Sequence, residues 1–188
     1  MARPRSDEKR SSIMTAAIRI IATHGLRAPT AMIAKEAGVS NGALFLYFTT
    51  KADLLNQLYV NLKADMAMAM ATEIPAKADL RSQVLHVWNG WLGWAISHPQ
   101  ERRTLAHLGV SNDVTEASHR ASNEAYADVE ALLGRSRASG AMREAPLLFV
   151  ASLVAGIVDA TVDYMTRDPA NAEIHATAGF EALWRFLG

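Results

Sequence analysis

Six histidines and nineteen acidic residues are the side chains of this chain that could carry proton or metal chemistry, and their spacing does not organise them. His24, His86, His98, His107, His119 and His175 form no H-x-x-x-H or H-E-x-x-H pattern, which would place two ligands on one helical face. Cysteine is absent, which removes disulfides, thiolate metal sites and cysteine nucleophiles together. His98, just before Pro99, reads as a helix C-terminal residue favoured by the helix dipole. No enzyme, metal or cofactor is expected.

Charge points instead to recognition. Residues 1–51 hold eight Lys or Arg and three acids, 8 − 3 = +5, so a chain of net charge zero carries −5 in its remainder. Attraction to phosphates is additive and local, so a basic N-terminal module facing a polyanion fits this segregation; an ordinary solvated face fits it too. Half of the 188 residues are hydrophobic, enough for a core. The charged start MARPRSDEKRSS is no signal peptide, and no apolar run reaches the roughly 18 residues of a membrane helix, so a cytoplasmic protein is expected.

The elements that must position such a module are helical, with no convincing strand. Ile13, Ala17, Ile20 and Ile21 make one stripe, ended by His24 and Gly25. Pro29 and Thr30 open a second helix, with Thr30 as N-cap and Ile33, Ala34 and Ala37 on its buried side, and Gly38 closes it. Ser40 caps a third helix over 41–48. Thr50 and Asp53 form a Thr-x-x-Asp capping pattern before a long fourth helix with Leu54, Leu55, Leu58 and Leu62. Two short helices around the glycine-containing turn in AGVSNGALFLYF, residues 37–48, make a helix-turn-helix, whose second helix enters a major groove.

The full string RSSIMTAAIRIIATHGLRAPTAMIAKEAGVSNGALFLYFTTKADLL resembles the DNA-binding region of the TetR family of transcriptional regulators. The matches are Ala16, Ala17, Gly25, Thr30, Ile33, Ala34, Ala37, Gly38, Val39, Ser40, Gly42, Leu44, Phe45, Phe48, Lys51 and Leu54. The resemblance implies an all-α fold: a three-helix DNA-binding domain at 1–51 and a larger helical domain at 52–188 for effector binding and dimerisation. It also implies double-stranded DNA, a homodimer partner and a small-molecule effector as the molecules bound.

Thr30 and Ser40 cap helix starts, where unpaired amides attract phosphate, and Lys51 stands where the family places a backbone contact. Asn41, Ala43, Leu46 and Tyr47 are the groove-facing positions, with Gly42 permitting close approach. Phe45 replaces a common tyrosine and Ala43 a frequent threonine, so readout is expected to lean on Asn41, on thymine-methyl contacts from Ala43 or Leu46, on DNA shape, and on Arg3 and Arg5 as an N-terminal arm. Phe45 and Phe48 are expected as core wedges against the first helix.

Beyond residue 52, helices are expected at about 52–70, 78–97, 100–110, 114–138, 144–166 and 171–187. Ser152, Gly156 and Ala160 form a small-residue ridge in LLFVASLVAGIVDATVDYM, and Gly179, Phe180 and Leu183 lie on the last stripe; the resemblance implies that together they are the dimer face, the alternative being that they close the monomer core. Met66, Met70, Trp88, Trp91, Tyr126, Phe149 and Tyr164, with Trp94 beside them, are candidates to line an apolar effector pocket. Asp159 and Asp163, one turn apart, read as a solvated edge. The function expected is a ligand-responsive regulator, a repressor released from a palindromic operator by an apolar or aromatic effector; the alternative is an effector-independent DNA-binding dimer controlled by abundance or a protein partner.

Overall fold

The computed structural model describes residues 3–188, with side chains from Ser6 onward. Every regular element among them is helical: α1 Arg3–His24, α2 Thr30–Glu36, α3 Asn41–Leu44, α4 Lys51–Ala71, α5 Leu80–Ser97, α6 Pro99–Gly109, α7 Glu116–Glu124, α8 Ala127–Ser136, α9 Leu147–Arg167 and α10 Ala172–Leu187. The chain packs as two compact units, one taking in the chain through Ala64 together with His98–Asn123, the other Asp65–Ser97 and Glu124–Gly188.

In the first unit, Ile13, Ala17 and Ile21 of α1 meet Ile33 and Ala34 of α2, Leu44 and Phe48, and Leu54, Leu55 and Leu58 of α4, all at most 1% exposed. Helix α6 lies on α1, where the buried Thr104 donates its hydroxyl to the Ile18 carbonyl at 3.1 Å. The start of α7 is tied to α4 through Asn56: its Oδ1 accepts from the Thr115 amide at 2.8 Å and the Ser118 hydroxyl at 2.6 Å, and its Nδ2 donates to the Asp113 carbonyl at 2.7 Å.

The second unit is built from the end of α4 with α5, α8, α9 and α10. Asp79 caps α5, accepting the Ser82 amide at 2.8 Å, and that bond holds its carboxyl below the ordinary range. The single helix expected over 114–138 is two, broken at Ala125 and Tyr126. Ser122 is buried in the first unit, and Tyr126 and Leu132 are buried in the second. Leu147–Arg167 is long and apolar enough to cross a membrane by length and composition, and only 22% of its apolar window is buried.

Candidate nucleic-acid interface

The helix-turn-helix is assembled by two chain reversals. Helix α2 ends in a Schellman arrangement: Gly38 takes φ +68°, its amide donates to Lys35 O at 3.1 Å, and the Val39 amide donates to Ala34 O at 2.9 Å. Glycine adopts that left-handed conformation without a side-chain clash, so α2 stops within one residue. Ser40 then caps α3, its hydroxyl accepting from the Ala43 amide at 3.1 Å.

Helix α3 is shorter than the expected 41–48. After Leu44 the chain tightens into three-residue turns, Leu46 N to Ala43 O at 3.1 Å and Tyr47 N to Leu44 O at 3.0 Å. Leu44 and Phe48 fill the wedge against α1 at 0% exposure. Phe45, expected as a second wedge, is instead 41% exposed, because one residue beyond Leu44 is turned about 100° around the axis.

The surface of α3 and its following turn therefore carries Asn41, Gly42, Phe45 and Leu46, with Ala43 and Tyr47 half-buried and Tyr47 packed on the core. Leu46 is 85% exposed. Gly42 adopts no unusual backbone angle, and a Cβ there would meet only the Ser40 hydroxyl, at 4.0 Å. Glycine within a helix costs about 0.5–1 kcal/mol relative to alanine, and nothing in the chain's own packing calls for it here.

Two residues expected as phosphate contacts are held in ways the sequence pattern does not give. Thr30 is the first residue of α2 rather than its cap; Pro29 holds the cap position at φ −70°, ψ 146° and has no side-chain acceptor. Lys51 points its ammonium into the loop before α2, donating to Leu26 O at 2.6 Å and Ala28 O at 2.7 Å. Two of its three donors are thus engaged within the chain. The side chains of Arg3 and Arg5 lie outside the described residues. Arg10, which the pattern reading passed over, lies on the Phe48 ring and bonds Gln57 of α4; its partner stands 47 residues away, so no local spacing signals the pair.

The second unit separates the residues grouped as an effector pocket. Met66, Met70, Trp88, Trp94 and Tyr126 are buried and Trp91 is half-buried, but Phe149 and Tyr164 are 54% and 57% exposed. Those two face outward on α9 beside Ser152, Gly156 and Ala160, which are exposed as well, with Asp159 and Asp163 on the same surface. The buried Trp88 indole N–H has no hydrogen-bond partner. On α10 the dimer assignment needs correction: Phe180 and Leu183 are 3% exposed, and a Cβ on Gly179 would collide with Thr161 and Trp88, so all three turn into their own unit. The outward stripe of α10 is Ile174, Ala178 and Ala182, four residues apart. Where α9 gives way to α10, Asp168 accepts from Asn171 Nδ2 at 3.0 Å and meets His175 Nε2 at 3.0 Å; these partners, Asn171 first, lower its carboxyl below the ordinary range. Among the described residues no three His, Asp or Glu side chains gather to hold a metal ion.

Comparison with known proteins agrees with this arrangement. The sequence profile of the bacterial regulatory proteins, tetR family, matches residues 13–58. The fatty acid metabolism regulator protein of Bacillus subtilis (strain 168) is 32% identical over 77 residues, covering 40% of this chain and 40% of that protein, so the match spans two fifths of the curated relative's length. A crystal structure of a tetR family transcription regulator from Shewanella sp. PV-4 superposes with a TM-score of 0.82 at 26% identity, covering 94% of this chain and 96% of that one. The transcriptional regulator FadR from Bacillus subtilis, solved in complex with stearoyl-CoA, has the same fold at a TM-score of 0.69 and 20% identity, over 95% of this chain and 99% of that one.

Proposed function

Because the chain belongs to the TetR family of bacterial transcriptional regulators, we propose that it is a homodimeric repressor that reads a roughly palindromic operator and is released by an apolar or aromatic effector. Members of this family are transcription regulators, not enzymes. Residues 1–51 carry the reading head and residues 52–188 the effector and dimer functions, in the cytoplasm. The observation that carries the DNA reading is Gly42: an exposed helical glycine with open space around it, flanked by Asn41 and the 85%-exposed Leu46, suits a backbone that approaches another molecule closely. Asn41 supplies amide hydrogen bonds and Leu46 an apolar contact for a thymine methyl.

Dimerisation has its own support. Gly156 sits exposed in α9, where an added Cβ would meet nothing within 4 Å, between exposed Ser152 and Ala160 and beside Leu148, Phe149 and Leu153. A small-residue ridge within an exposed apolar face suits close approach of a second helix, and Ile174, Ala178 and Ala182 of α10 extend the same kind of surface. A dimer would set two copies of α3 in successive major grooves about 34–36 Å apart.

Helix α4 is continuous from Lys51 to Ala71, with its first fourteen residues in one unit and the rest in the other. An effector that shifts its far end by differential binding, with the 1–3 kcal/mol coupling typical of allostery, would weaken operator binding about 5–150-fold. The buried Met66, Met70, Trp88 and Tyr126 are the side chains proposed to meet that effector.

The test is selection of bound duplexes from a random library, followed by addition of stearoyl-CoA, the ligand held by a protein of the same fold. Enrichment of a two-half-site sequence, and its release together with a rise in melting temperature, is expected. Failure to enrich any sequence refutes DNA reading. Enrichment with no release by stearoyl-CoA or by other apolar and aromatic probes favours control by abundance or a protein partner.

A further inference from the structure

We propose that Gln57, acting between Arg10 and Asp53, is a positioning residue that sets the recognition turn against α1 and α4; this rests on the DNA-reading function proposed above. Gln57 lies in the second turn of α4. Its Nε2 donates to Asp53 Oδ1 at 2.6 Å, and its Oε1 accepts from the Arg10 guanidinium of α1. Asp53 uses its other oxygen, Oδ2, to accept the Thr49 backbone amide at 2.9 Å, while its own amide donates to the Thr50 hydroxyl at 3.0 Å. Arg10 meanwhile lies over the Phe48 ring, its Cζ 5.4 Å from the centroid. Phe48 closes the turn after α3 through its amide to Leu44 O at 3.1 Å.

The relay therefore reaches the exit of the recognition turn twice, once through the Thr49 amide and once through the face of Phe48. Its middle member has to accept from Arg10 and donate to Asp53 at once. A glutamate at 57 would satisfy Arg10 but set two carboxylates against each other, and a lysine would satisfy Asp53 but repel the guanidinium. The glutamine amide accepts from the cation with its oxygen and donates to the anion with its nitrogen, in series. Hydrogen bonds with one charged partner are the stronger kind, so both links hold better than neutral ones would. The arrangement also commits Arg10 inward: its charge adds to the basic face, but its donors and its packing serve the turn.

The full-length protein tests this with Gln57→Leu, Arg10→Met and the double variant. Four quantities are read: affinity for a duplex that the wild type selects from a random library, affinity for an unrelated duplex of equal length, the dependence of both on salt, and hydrogen exchange of the Thr49 amide. Each single variant should weaken binding to the selected duplex about tenfold or more, the scale of one charge-assisted hydrogen bond. Binding to the unrelated duplex and the salt slope should stay as they are, Thr49 should exchange faster, and the double variant should be no worse than either single one. Should Gln57→Leu fail to fold, Gln57→Glu keeps the Arg10 partner, loses the donor to Asp53, and should reproduce the same loss. Unchanged affinity and unchanged Thr49 exchange in the Gln57 variant overturn the proposal. An Arg10→Met that flattens the salt slope by about one unit and adds to the Gln57 effect also overturns it, by making Arg10 a phosphate contact. If the wild type selects no duplex, DNA reading itself fails; faster Thr49 exchange would then leave a purely structural clamp and overturn the positioning role.

Discussion

Replacing Lys51 by methionine separates a strut from a phosphate contact, because the two roles predict opposite results in two assays. The ammonium bonds Leu26 O at 2.6 Å and Ala28 O at 2.7 Å, tying the first turn of α4 to the loop that enters α2. A hydrogen bond with a charged partner contributes about 1.5–3 kcal/mol. Lys51 is half-buried, so water replaces part of what is lost, and the pair together is worth about 2 kcal/mol rather than twice the single value. Methionine keeps the apolar stem and its packing. In urea the midpoint should fall with an unchanged slope, and the melting temperature should drop by about 4–8 °C. Operator affinity should fall through a loosened α2 entry, while the slope of log affinity against log salt stays where it was. A lysine on phosphate would behave otherwise: stability unchanged and the salt slope reduced by about 0.9. That second pattern would refute the strut.

Three further substitutions probe the rest of the reading. Gly42→Ala has room for its Cβ and should leave folding unharmed or improved by about 0.5–1 kcal/mol in thermal denaturation, yet weaken operator binding in a mobility-shift titration; unimpaired binding would move the DNA approach away from α3. At Gly156→Leu the added Cβ has nothing within 4 Å in its own chain, so helical content should persist while sedimentation at low micromolar concentration reports monomer, and an intact dimer would place the interface elsewhere. Asp168→Asn tests the turn between α9 and α10. Asn171, then His175, hold the Asp168 carboxyl below its ordinary 3.8, so its contribution is present above that pH and fades as pH falls through the depressed folded value. Urea midpoints of wild type and variant should therefore differ at pH 5 to 7 and converge in strong acid; a gap that widens on acidification would contradict that sign.

What the sequence determined by itself was local. Helix stripes, the stops at Gly25 and Gly38, the Ser40 cap and the Thr50 to Asp53 pattern are each set by residues within four positions of one another, and the structure has them where the pattern put them. So, too, the helix-turn-helix and the exposed Asn41, Gly42 and Leu46 were legible. Tertiary packing decided which way side chains face once helices meet. Phe45 and Phe48 look alike in the chain, yet only Phe48 fits the wedge beside Leu44. Phe180 and Leu183 stand on an apolar stripe of α10, but α9 and α5 cover that stripe, so the outward face falls to Ile174, Ala178 and Ala182. The sequence offered no sign of the partners of Lys51 and Arg10, because Leu26 and Ala28 for one and Gln57 for the other lie 23 to 47 residues away. Periodicity identifies a helix's apolar residues, but which neighbour buries them, and where a long cationic side chain finds its acceptor, depends on contacts between segments distant in the chain, and those exist only after it has folded.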